Sequence, residues 1–92
     1  MNKTIWKFDL EFLDMQPIKM PENAEILSVG EQDGKLKIWA LVKPDNAKVK
    51  REFEIFGTGH NVYCDMGIER KFLGTVQMKE QGLVWHLFER ID

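Results

Sequence analysis

The dipeptide Asp33-Gly34 constrains this chain more than any other feature, because it stands between two runs of strand-forming residues, 24–31 and 35–42. A two-residue turn of type I′ needs positive φ at both central positions, which aspartate tolerates and glycine prefers, and its twist matches that of paired strands. The two runs are therefore expected to form a β-hairpin. The middle of the chain is accordingly read as antiparallel sheet.

A period of two recurs on both sides of the hairpin. In residues 4–12, Trp6, Phe8, Leu10 and Phe12 share one face while Lys7, Asp9 and Glu11 share the other, which is the pattern of a half-buried strand. Pro17 cannot donate to a ladder, so 14–20 reads as a short edge strand, ended by a turn at Pro21 and Asn23. Pro44, Asp45 and Asn46 close the central hairpin, and a charged run over 48–52 leads into Phe53, Ile55 and Phe56. Segments 71–78 and 83–89 form a last hairpin joined through 79–82. A short helical turn fits only at 21–24 or 65–70. Six to seven strands at roughly ten-residue spacing predict an all-β fold, a small antiparallel sandwich or partly open barrel with little or no helix.

A chain of 92 residues makes one domain, spanning 1–92, since two would each have a meagre core. The 43% hydrophobic content exceeds what a disordered chain carries. Cys64 is the only cysteine, which excludes an internal disulfide and fits a reducing cytoplasm better than secretion. The amino-terminal stretch alternates charged and apolar residues, unlike a signal peptide, and no apolar run approaches membrane-spanning length. A net charge of −2 supplies no global attraction for nucleic acid or an anionic membrane, so neither is expected as a partner.

Two segments depart from one-sided patterning. Residues 38–42 (IWALV) and 83–88 (LVWHLF) are apolar on both faces, as in a central strand covered on both sides or a strand at a subunit interface. A small core with no disulfide or metal staple favours the second, and with it a homo-oligomer.

Among candidate sites, Gly57-Thr58-Gly59-His60 is the most local. Glycines let backbone N–H groups approach an anion closely, and Thr58 and His60 add side-chain donors. The same residues also suit a plain tight turn after a strand, with glycine chosen for positive φ. His86 lies between Trp85 and Leu87 on a face shared with Val84 and Phe88, as a hydrogen-bonded structural histidine or as a group that touches a ligand. Trp39 sits among Lys35, Lys37, Lys43, Lys48, Lys50 and Arg51, a basic stretch where phosphate contact and an exposed ring could hold a single nucleic-acid strand, although interleaved acids argue for an ordinary solvated hairpin face. His60, Tyr63, Cys64, Asp65 and His86 lack the spacing of a metal site or a Cys-His nucleophile pair, so no metal, cofactor or catalytic residue is assigned.

Several segments together carry a resemblance: 3–8 (KTIWKF), 20–29 (MPENAEILSV), 41–42 (LV), 57–60 (GTGH) and 83–89 (LVWHLFE). In this order they resemble the short uncharacterised proteins common in tailed bacteriophages and prophages, while 61–70 departs from that pattern. The resemblance implies a phage accessory protein acting in the infected bacterial cytoplasm, where proteins of this size often inhibit or sequester components of host systems. The expectation is a non-enzymatic oligomer that sequesters a small anionic, nucleotide-like ligand through Gly57, Thr58, Gly59, His60, Trp39, Trp85 and His86. The alternatives are an inhibitor that binds a host protein, and a small hydrolase.

Overall fold

The computed structural model describes residues 2–62 and 67–91. Their strands are β1 (Thr4–Leu10), β2 (Met15–Pro21), β3 (Glu25–Gln32), β4 (Lys35–Val42), β5 (Lys48–Gly57), β6 (Arg70–Met78) and β7 (Leu83–Arg90), with one turn of 3₁₀ helix at Lys79–Gln81. All pairing is antiparallel, in a three-stranded sheet ordered β1-β4-β3 and a four-stranded sheet ordered β2-β5-β7-β6. The sheets do not close into a barrel. A smallest Cα extent of 16 Å fits two layers stacked about 10 Å apart.

The predicted hairpin is β3–β4, with Gln32 opposite Lys35 and both Asp33 and Gly34 at positive φ. Alternation then sorts side chains between the layers. Leu36, Ile38, Ala40 and Val42 of β4 meet Met20, Phe53, Ile55, Val76, Met78 and Leu87 of the other sheet in a buried core. Trp6, Phe8 and Trp85 pack at its margin, whereas Trp39 points to the opposite side of β4. The layers approach closely where β3 meets β6: a Cβ on Gly74 would lie 2.6 Å from Val29 Cγ2.

Local details differ from the sequence reading. The charged run 48–52 is part of β5 rather than a lead-in, because Arg51 turns inward. Its guanidinium grips both carboxylate oxygens of Glu89, at 2.6 and 2.7 Å, and donates to the Ala24 carbonyl at 2.6 Å. All three guanidinium nitrogens and both carboxylate oxygens thus have a partner, which is the condition for keeping charge inside a small core. The 21–24 segment is a tight turn rather than a helical one, with the Ala24 N–H donating to the Pro21 carbonyl and Asn23 at φ +67°. The first strand stops at Leu10, short of Phe12, and the Gln16 side-chain amide closes the following bend by bonding both the N–H and the carbonyl of Glu11. Of the other candidate turn at 65–70, residues 65 and 66 lie outside the described residues, and Arg70 opens β6.

On the outer side of the three-stranded sheet, Lys37 is ion-paired to Asp9 at 2.5 Å. That hydrogen bond holds the Asp9 carboxyl below the usual carboxylate range, assisted by the charge of Lys37, Lys35 and Lys7 and opposed by desolvation. No described helix is long and apolar enough to cross a membrane.

Candidate functional site

The outer face of the four-stranded sheet is built by register. Phe56 of β5 stands opposite His86 of β7, which stands opposite Thr75 of β6. In the neighbouring row Phe88 lies between Glu54 and Phe72. Three phenylalanines therefore meet from three strands, Phe56 edge-on to Phe88 at 5.7 Å and Phe72 tilted on Phe88 at 5.2 Å, both favoured ring geometries. Arg70 lies over the Phe56 ring at 5.8 Å and is paired to Glu54 at 2.7 Å. Phe72 remains 55% exposed, so the cluster has an open side.

Beside the rings, His86 is suspended between two hydroxyls: Nε2 is 2.8 Å from Thr58 Oγ1 and Nδ1 is 3.0 Å from Thr75 Oγ1. A neutral imidazole donates from one nitrogen and accepts at the other. One threonine must then donate to the ring while the other accepts from it, and in either tautomer the accepting threonine keeps its own hydroxyl proton for an outside acceptor. A threonine next to histidine imitates a nucleophile and base, but the second nitrogen faces a hydroxyl instead of the carboxylate that would steady an imidazolium.

The loop at 57–60 folds on itself. The His60 N–H donates to the Gly57 carbonyl at 3.0 Å, and the Gly57 N–H donates to His60 Nδ1 at 3.1 Å. Gly57 is glycine because the imidazole fills the place of its side chain, with Cε1 2.8 Å from an ideal Cβ, and Gly59 is glycine because φ is +89°. The backbone N–H groups at 57 and 60 are thus used inside the turn instead of pointing toward an anion. The other side of the His60 ring meets Trp85 edge-on at 6.5 Å.

Of the residues singled out in the sequence, Gly57, Thr58, Gly59, His60 and His86 line one cavity of about 230 Å³ together with Phe56, Val62, Phe72 and Phe88. Trp85 lines a second cavity of about 350 Å³ that shares Gly57, Thr58 and His60. Trp39 is not brought to this place: it lies on the outer side of the other sheet, against Gly30. A third cavity of about 350 Å³ shares Phe56 and His60 with the first and adds Asp14, Glu54, Asn61, Arg70 and Arg90. Tyr63, Cys64 and Asp65 lie outside the described residues, and among the described residues no three potential ligating side chains group to hold a metal. Alternation in the sequence places Phe88 on the face of His86 but does not bring Phe56, Phe72 and Thr75 to it. Val84, His86 and Phe88 announce an apolar outer stripe by alternation, but only strand pairing brings the other rings to it.

The fold and this face define a small two-layer β protein with an aromatic surface cavity. The chain belongs to a family described as a domain of unknown function, DUF7352, whose model matches residues 1–92. No curated protein and no solved structure matches it.

Proposed function

We propose that the protein is a non-enzymatic binding module that holds a small, ring-bearing, nucleotide-like ligand on the outer face of its four-stranded sheet. The observation that carries this reading is the Phe56, Phe72 and Phe88 cluster beside the Thr58–His86–Thr75 chain. A flat ring covers the open side of Phe72 and Phe88, and the free threonine hydroxyl reads its polar edge. The 230 Å³ cavity alone is smaller than the roughly 300–1,000 Å³ typical of small-molecule pockets. With the adjoining space lined by Arg70 and Arg90 the site reaches that range, and the arginines give an anionic group of the ligand its place, tempered by Glu54 and Asp14. The likeness of several segments to short phage proteins supports placing this activity in an infected bacterial cytoplasm, as sequestration of a host signal.

A second reading, capture of a host protein by the same face, draws on the exposure of Phe72 and Val62. Native mass spectrometry of the protein purified from bacteria separates the two. The expected result is a retained small molecule, released intact on denaturation and lost in Phe72→Ser. A chemically altered molecule would establish an enzyme, and a co-purifying protein displaced by Phe72→Ser would establish the second reading.

A further inference from the structure

Each sheet has two edge strands, and three of the four edges are protected. Pro17 and Pro21 interrupt the donors of β2. Bulges break β3 between Ile26 and Ser28 and β6 between Phe72 and Gly74, and these two strands also pack against each other. Natural sheets use such devices to prevent edge-to-edge pairing. Over Thr4–Leu10, β1 has neither a proline nor a bulge: it pairs with β4 in unbroken register, meets no strand on its second edge among the described residues, and its edge charges, Lys7 and Asp9, are of opposite sign, so they repel a second copy only in some registers.

We propose that β1 is a dimerisation edge, pairing antiparallel with β1 of a second copy across a twofold axis at Phe8. The two three-stranded sheets then become one continuous sheet. This goes beyond the ligand-binding reading, because no residue of the outer face of the four-stranded sheet takes part.

The register follows from symmetry and charge. Residues directly opposite in an antiparallel pair project to the same side, so a twofold axis normal to the sheet must pass beside one residue and pair positions of equal parity. Centring on Lys7 opposes two lysines, and centring on Asp9 opposes two aspartates. Centring on Trp6 leaves Lys7 facing Ile5. Centring on Phe8 places Lys7 opposite Asp9 of the second copy, twice, on the outer side. On the inner side it sets Phe8 against Phe8 and Trp6 against Leu10, covering the flanks of the half-buried Trp6 and Phe8 at the core margin. Both charged groups have capacity left, since an ammonium has three donors and Gln32 takes one from Lys7, while a carboxylate has two oxygens and Lys37 engages Oδ1 of Asp9.

Sedimentation equilibrium tests this with a charge swap. The full chain is expected to be dimeric, and Lys7→Glu and Asp9→Lys should each weaken the dimer by more than about tenfold, because each places like charges opposite one another twice. An equimolar mixture should restore a dimer containing one copy of each variant, since both cross-strand pairs become opposite in sign. Hydrogen exchange supplies a second measurement should Asp9→Lys fold poorly: β1 amides of the unaltered chain should exchange more slowly at high than at low protein concentration, and those of Lys7→Glu equally at both. A chain monomeric at every concentration up to about millimolar overturns the proposal. So does a dimer that Lys7→Glu leaves intact with β1 exchange independent of concentration.

Discussion

The two faces of β7 differ in how their polar groups are satisfied. On the inner side Glu89 is held by two guanidinium nitrogens of Arg51 and is almost wholly buried. On the outer side, only three residues earlier, His86 is held by two threonine hydroxyls, one of which always keeps a proton uncommitted. Glu89 is committed to fixing the fold, whereas His86 leaves donor capacity beside exposed aromatic surface. Stability and binding should therefore separate along a single strand, between neighbouring residues.

The largest effect is expected at Glu89. Truncating one member of a buried ion pair leaves the other charge uncompensated, so Glu89→Ala should cost about 3 kcal/mol or more in urea unfolding. The double change Arg51→Met with Glu89→Leu should recover much of the loss, because it leaves no charge behind. A cost below about 1 kcal/mol for Glu89→Ala would break the comparison on its inner side.

A smaller effect is expected where the two faces meet, in the turn at 57–60. Gly57→Ala should destabilise by about 1–3 kcal/mol, since its methyl group would press on the whole His60 ring. In a His60→Ala background the same substitution should be nearly neutral, giving a coupling of similar size in a double-mutant cycle. His60→Ala alone should cost about 1 kcal/mol through the lost acceptor for the Gly57 N–H. Additive effects of Gly57→Ala and His60→Ala would show that the imidazole does not lock the turn. Smaller again is Thr75→Val, which removes a hydroxyl from His86 Nδ1 and should cost about 0.5–1.5 kcal/mol by thermal unfolding.

The parts legible in the sequence are those that local chemistry decides. Asp33-Gly34 defines its hairpin because the turn type needs those residues, and alternation places Trp6, Phe8 and Leu10 on one face of β1. Pairing of β1 with β4 and of β2 with β5 joins distant segments, and no local signal announces it. The charged run at 48–52 carries no local sign of its inward-turned residue, because the partners of Arg51, Glu89 and the Ala24 carbonyl, are 38 and 27 residues away. The site divides in the same way. His86 and the 57–60 loop stand out as residue types, while Phe72 acquires its place only through the β6–β7 register, and Trp39 leaves the group because its strand belongs to the other sheet.

The smallest expected effect on stability, and the sharpest test of the comparison, is at Phe72. Its ring is more than half exposed and meets the cluster through Phe88, a cross-strand aromatic contact worth about 0.2–1 kcal/mol. Phe72→Ser should therefore shift the unfolding free energy by less than about 1 kcal/mol and leave the circular dichroism spectrum unchanged. Stacking of a flat ring on an aromatic side chain contributes about 1–3 kcal/mol, so the same substitution should weaken ligand binding by roughly 5- to 150-fold in calorimetric titration of the molecule recovered from the purified protein. A change in affinity without a matching change in stability is what an outer face kept for binding requires. If Phe72→Ser instead unfolds the domain, with a loss comparable to that of Glu89→Ala, the rings belong to the architecture and the distinction between the two faces of the sheet fails.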